Sequence, residues 1–274
     1  MSNPTKEEII LNIRQEVDNL LREKPKSHGK IIEKIINLTE ISKEVIGYSD
    51  PDYLRILDAL DTGFDRLLEL NSVRETGALT DAYLDVLLGF NEKELVERSN
   101  KAVSKLFSKN ETTYHVIAED IINRVSDHLE DQENLDLLGR LFVDTGHFLF
   151  KRKNFEQSVA YFERGLNFYV DSGNSEIVTK EITNILELAR RLAIKNNEYS
   201  INYVELVNRV SSDAGIDLKN NLNAQLAYQS YSEHLLKRSK NMVEERKVVP
   251  GRLHKKKRDF SNLFKKKEEE DEFY

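Results

Sequence analysis

The hydrophobic positions recur at helical spacing along almost the whole chain. Ile9, Ile13, Val17, Leu20 and Leu21 form one stripe, and Ile31, Ile35, Leu38, Ile41 and Val45 form the next. Asn3 before Pro4, or Thr5 with Glu8 three residues on, offers a start for the first helix, and Gly47 a stop for the second. Asp50-Pro51 opens a third helix carrying Tyr53, Leu57, Leu60, Phe64, Leu67 and Leu68. A fourth near 78–90 holds Leu84, Leu87, Leu88 and Phe90. Asn91 with Glu94 starts a fifth, containing Leu95, Val103 and Leu106. A sixth over 112–129 carries Tyr114, Ile117, Ile121 and Val125.

Helical pairs follow at 133–152 with 154–171 and at 175–196 with 198–213. A last long helix begins near Asp217. The breaks inside the pairs fall near 72–76, 109–111, 152–154 and 196–198, about 40 residues apart, which is the length signature of a helical solenoid. The alternative is an irregular helical bundle with evenly spaced loops. The expected fold is all-α, with antiparallel hairpins stacked as an α-solenoid of about 11 helices. The expected boundaries are an N-terminal pair over 1–47, a hairpin array over 51–213, a capping helix over 217–245 and a disordered tail over 246–274.

Residues 139–172 carry the strongest pattern. Gly146, Ser158 and Gly165 are small residues placed where two antiparallel helices must approach closely. Phe142, Phe155, Phe162 and Leu166 supply the bulk around them. Phe155, Val159, Phe162, Leu166 and Tyr169 run in alternating steps of four and three. In the first helix of this pair, Leu138, Phe142, Thr145 and Leu149 make one apolar face, and Leu137, Leu141 and Phe148 make another. A helix with two apolar faces has to be covered on both sides.

This hairpin resembles a tetratricopeptide repeat. Phe142 takes the place of that family's first aromatic, Thr145-Gly146 that of Leu-Gly, and Leu149 that of Tyr. Ser158 and Gly165 take the two small-residue places, with Phe162 as the aromatic between them. The closing proline is absent, and the flanking segments match only loosely, through Leu186, Ala189, Ala193 and Leu206 around Tyr199. The resemblance implies a groove lined by the first helices of successive hairpins and holding a peptide or protein segment. By that analogy Arg140, Val143, His147, Phe150 and Lys151 face the groove, with Arg140 and Lys151 suited to an acidic ligand or a C-terminal carboxylate. The alternative packs Phe150 in the core and leaves the charges in solvent.

Composition agrees with helices. Glycine (11) and proline (4) are scarce, while charged residues make up 32%. The chain has no cysteine, which excludes disulfides and thiolate chemistry. No secretory signal and no apolar run near 20 residues is visible, so the expected location is the cytoplasm, or the nucleus in a nucleated cell. None of the six histidines stands in a zinc-binding motif. No phosphate loop, dinucleotide fingerprint or nucleophile elbow occurs, so neither a cofactor nor catalysis is expected. A catalytic site assembled from distant helices is the open alternative.

The net charge of −7 is unevenly spread. Residues 246–267 carry +9, residues 268–272 carry −5, and the rest of the chain carries −11. An acidic body repels phosphate backbones, so any nucleic-acid binding falls to the tail. There Lys255, Lys256, Lys257 and Arg258 precede Phe260, Leu263 and Phe264, which share one helical face. Phe273 and Tyr274 end an acidic run. This segment could recruit a second partner, meet nucleic acid, or lie on an anionic membrane.

Overall fold

The computed structural model describes residues 4–46, 52–195 and 197–218, together with a few positions between 225 and 236. These described residues form ten α-helices and one short 3₁₀ turn: α1 (Lys6–Arg22), α2 (His28–Val45), α3 (Asp52–Glu69), α4 (Val73–Leu87), α5 (Glu92–Phe107), α6 (Thr112–Asp131), α7 (Leu135–Lys151), α8 (Phe155–Asp171), α9 (Ser175–Ile194) and α10 (Ser200–Asp213). The described positions between 225 and 236 are also helical, and residues 216–218 before them are not. The other residues of the expected capping helix, the expected Gly47 stop, the expected Asp50-Pro51 start and the whole tail 246–274 lie outside the described residues.

Local chemistry sets the helix ends. The Thr5 hydroxyl accepts from the Glu8 N–H while Glu8 accepts from the Thr5 N–H, closing a capping box on α1. Asn91 accepts from the Glu94 N–H at 2.9 Å to start α5. Four helices stop alike, with Asn71, Glu133, Lys153 and Gly173 in the left-handed region at φ of 53, 56, 62 and 75°. The next N–H then reaches back to a carbonyl of the last turn: Ser72 to Leu67, Asn134 to Leu129, Asn154 to Leu149 and Asn174 to Tyr169, at 3.0, 2.9, 3.0 and 3.2 Å. This turn takes three residues, so each helix folds straight back on the one before it.

The helices pair as α1–α2, α3–α4, α5–α6, α7–α8 and α9–α10. The hairpins stack in chain order through α1 on α3, α2 on α4, α4 on α6, α5 on α7 and α8 on α10. First helices therefore form one layer and second helices the other. The first helices start at residues 6, 52, 92, 135 and 175, steps of 46, 40, 43 and 40. The fold is an all-α array of stacked helical hairpins, held by neighbour-to-neighbour contact.

Within α7–α8 the small residues sit where the helices touch. A β-carbon added at Gly165 would lie 2.8 Å from the backbone oxygen of Gly139 and the backbone nitrogen of Val143. One at Gly146 would lie 2.8 Å from the Phe162 ring, and one at Gly139 2.6 Å from the Tyr169 ring. Ser158 donates its hydroxyl to the Gly146 carbonyl at 2.8 Å in the same buried seam. Leu138, Leu141, Phe142 and Leu149 of α7 join a core that runs back to α1, while Val143 joins a core shared with α8, α9 and α10. The helix is covered on two sides, as its sequence requires. Leu141 is fully buried and Leu137 packs against the first of these cores, while Val143 with Phe150 adds a flank facing the second.

A second difference concerns α2. Its buried face is His28, Ile31, Ile32, Ile35, Thr39 and Ser42. Ile41 and Val45 are 40% and 39% exposed. Thr39 and Ser42 can be buried because their hydroxyls donate to the carbonyls of Ile35 and Thr39, at 2.8 and 2.6 Å. The hidden polar residues rotate the helix away from its apparent apolar stripe.

Candidate partner-binding face

The outer side of the first-helix layer is a row of polar side chains that tie one hairpin to the next. Lys6 of α1 meets Asp52 of α3 at 2.7 Å. Arg98 of α5 reaches Asp58 and Asp61 of α3 at 2.8 and 2.7 Å, and Lys105 reaches Asp65. Arg140 of α7 meets Glu97 of α5 at 3.3 Å, and Asn100 donates to Asp144 at 2.8 Å. His147 of α7 faces Glu181 of α9 at 3.6 Å. Each tie joins residues one repeat apart. Long polar side chains thus bridge α3 to α5 and α7 to α9.

Burial sets the electrostatics of this row. The Arg98 side chain is only 13% exposed, and burial would lower its pKa, but its carboxylate partners hold it above the usual arginine range. Burial pushes the Asp144 carboxyl up, against the pull of Arg140 and His147. Burial would also raise Glu181, yet His147 and the Asn184 amide keep it below the ordinary carboxylate value. Asn100 is buried, and its side-chain oxygen has no hydrogen-bond partner among the described residues.

The five groove positions named from sequence divide. Arg140, His147 and Lys151 lie on the outer face of α7. Arg140 stands between Glu97 and Asp144, the latter at 3.8 Å, so its charge is already matched and it does not form a free basic pair with Lys151. The His147 ring meets the Phe162 ring edge-on, with centroids 4.8 Å apart. Lys151 is exposed, its ammonium 5.9 Å from the Phe148 ring centre. Val143 and Phe150 belong elsewhere. Val143 is 4% exposed and packs in the core against Gly165. Phe150 is wedged between Phe155 and Tyr203, at centroid distances of 5.4 and 5.8 Å. Both sit on the flank of α7 that turns toward α8 and α10, because the close α7–α8 seam rotates that flank inward.

Sequence reasoning did not single out Arg98, Glu97, Asn100, Lys105 or Glu181. A signal existed in the repeat length. An acid on one first helix has its cation about 40 residues further on, as in Asp58–Arg98, Asp65–Lys105 and Glu97–Arg140. The tail candidates Lys255, Lys256, Lys257, Arg258, Phe260, Leu263, Phe264, Phe273 and Tyr274 lie outside the described residues.

Among the described residues no group of three or more His, Cys, Asp or Glu side chains could hold a metal ion, and no helix is long and apolar enough to cross a membrane. No family model matches the chain, and no curated protein does. Among solved structures it is similar to a circular tandem repeat protein with novel repeat topology and enhanced subunit contact surfaces. That likeness has 14% identity and a TM-score of 0.43, and it covers 84% of this chain and 64% of that structure. The chain thus spans less than two thirds of that protein. The repeat architecture stated above rests on this chain's own packing: hairpins of about 40 residues, stacked in order and tied side chain to side chain.

Proposed function

We propose that the chain is a non-catalytic interaction scaffold of the tetratricopeptide-like kind, holding an extended peptide or protein segment along its first-helix face. The observation that carries this reading is the continuity of that face. From α3 to α9 the first helices bring 13 acids and 11 cations into one layer. Cross-repeat ion pairs fix the register of neighbouring helices, which pre-organises whatever binds them. A surface of alternating, fixed charges selects ligands by charge pattern more than by apolar area. In this reading the body 1–245 is one unit working in the cytoplasm, or the nucleus of a nucleated cell, and 246–274 is a separate recruiting element.

The test is a peptide array probed with the full chain, its Arg140→Glu and Lys151→Glu variants, and a chain truncated after residue 245. The reading expects both charge reversals to weaken the captured peptides at least tenfold and the truncation to leave them bound. Capture that ignores both reversals but is lost on truncation, and falls steeply with salt, would instead assign binding to the basic tail.

A further inference from the structure

The two faces of the array differ in charge. The first helices α3, α5, α7 and α9 nearly balance, with 13 acids and 11 cations. The second helices α4, α6, α8 and α10 carry 13 acids and only four cations, Arg74, Arg124, Arg164 and Arg209. Three of those arginines are engaged. Arg124 bridges Asp81 and Asp85 at 3.1 and 2.6 Å, Arg209 meets Glu163 at 2.7 Å, and Arg164 lies 4.1 Å over the Phe142 ring.

The imbalance is greatest on α6. Val116, Glu119, Asp120, Asn123, Asp127 and Glu130 follow one another at helical spacing along its outer face, and all are exposed, Val116 to 58%. Among the described residues none of these four acids forms an ion pair. The neighbouring Asp81 carboxyl is pushed up by burial, with the charges of Asp120 and Asp85 adding to the effect against Arg124. The surface therefore lacks positive charge and carries an exposed apolar residue at one end.

The chain itself contains the complement. Residues 255–267 hold seven Lys or Arg against the single Asp259, with Phe260, Leu263 and Phe264 between the two basic blocks. We infer that this segment docks, within the same molecule, on the outer face of α6, its cations over Glu119, Asp120, Asp127 and Glu130 and its apolar residues near Val116. Reach permits it. From Leu236 to Lys255 the chain spans about 28 Å wound as a helix and about 65 Å extended. Two helix-to-helix steps from α10 to α6 cover about 20 Å. Tethering also makes the segment's effective concentration high. Docking would occupy the tail's cations, so an anionic partner could reach them only by displacing the body. This contact concerns the second-helix face and stands or falls independently of the groove on the first helices.

The absence of cysteine makes a distance measurement direct. Nitroxide labels on Asn123→Cys and Asn262→Cys report the docked contact by pulsed electron resonance, and Lys180→Cys with Asn262→Cys is the reference on the opposite layer. The inference expects a short, narrow distance for 123–262 at low salt and a longer but also defined one for 180–262. The short distance should disappear at about 0.5 M salt, where charges are screened within a few ångströms. It should also disappear in Asp120→Lys/Asp127→Lys/Glu130→Lys. Should that triple variant unfold, Lys255→Glu/Lys256→Glu/Lys257→Glu makes the same test from the tail side. Equally broad distances for both pairs would overturn the inference. So would a short distance lost on dilution with unlabelled protein, which would place the segment on a second copy.

Discussion

Ser158 on α8 gives its hydroxyl hydrogen to the backbone carbonyl of Gly146 on α7, at 2.8 Å and fully buried. The bond forms because neither residue has a side chain long enough to keep the two backbones apart. It lies in the same seam where Gly165 meets the backbone of Gly139 and Val143, and the strongest expectations concern the glycines of the array.

The glycines of the array should answer differently to alanine. At Gly165 the new methyl meets backbone atoms of Gly139 and Val143 at 2.8 Å, which cannot yield locally, so Gly165→Ala should cost about 3 kcal/mol. At Gly146 it meets the Phe162 ring, which can tilt, and about 1–2 kcal/mol is expected. At Gly77 the nearest atom is 3.8 Å away, and Gly77→Ala should stabilise by about 0.5–1 kcal/mol through helix propensity alone. Urea unfolding of the three variants checks the order.

Lys153 holds a left-handed backbone, φ 62°, between α7 and α8, where Gly173 plays the same part between α8 and α9. A side chain there is strained, and glycine is the residue that relieves it. Lys153→Gly should raise stability by about 0.5–1 kcal/mol once the looser unfolded chain is counted. A lower melting temperature would show that the turn is not in this conformation.

Arg98 anchors the step from α3 to α5. Of its partners Asp61 is well covered and Asp58 is open to solvent. Arg98→Met leaves the covered Asp61 carboxylate only the more distant Lys101, at 3.9 Å, and should cost about 2 kcal/mol, while Asp58→Asn should cost less than about 1 kcal/mol. Thermal melts at low and high salt separate the two, since only the exposed pair is strongly screened.

Glu181 gives the array a signed pH dependence. Its folded pKa lies below the ordinary 4.5, because His147 and Asn184 outweigh the effect of burial. A depressed carboxylate stabilises the folded chain above the unfolded value, and that contribution is lost as pH falls through the folded one. Glu181→Gln should therefore lose less stability than the parent between about pH 6 and about pH 3.5. Denaturant midpoints at the two pH values measure it, and an unchanged slope would remove His147–Glu181 as a stabilising tie.

Much of the architecture was legible in the sequence, for physical reasons that can be named. Strong stripes such as Tyr53 to Leu68 have few polar residues on the buried side, so periodicity located α3 directly. The small residues 146, 158 and 165 pointed to the α7–α8 seam because close approach leaves few alternatives. Threonine and serine misled the reading where they fold their hydroxyls back onto the helix. Thr39 and Ser42 turned α2, and Thr76 and Thr80, donating to the carbonyls of Ser72 and Thr76, are buried in an α4 that starts earlier than its leucines indicate. The candidate face was half legible. Arg140, His147 and Lys151 fall where helical spacing puts them, but Val143 and Phe150 face inward because the tilt of α7 on α8 depends on contacts between helices. The ladder of charges was hidden in plain repetition, each partner one repeat away.

The claim beneath all of this is that the hairpins stabilise one another as a single stack. Amide hydrogen exchange on the parent and on Gly165→Ala tests it most directly. A stack predicts that weakening α7–α8 lowers protection in α5–α6 and in α9–α10 as well, falling off with distance along the array. Faster exchange confined to α7 and α8, with both neighbouring hairpins protected as before, would contradict it.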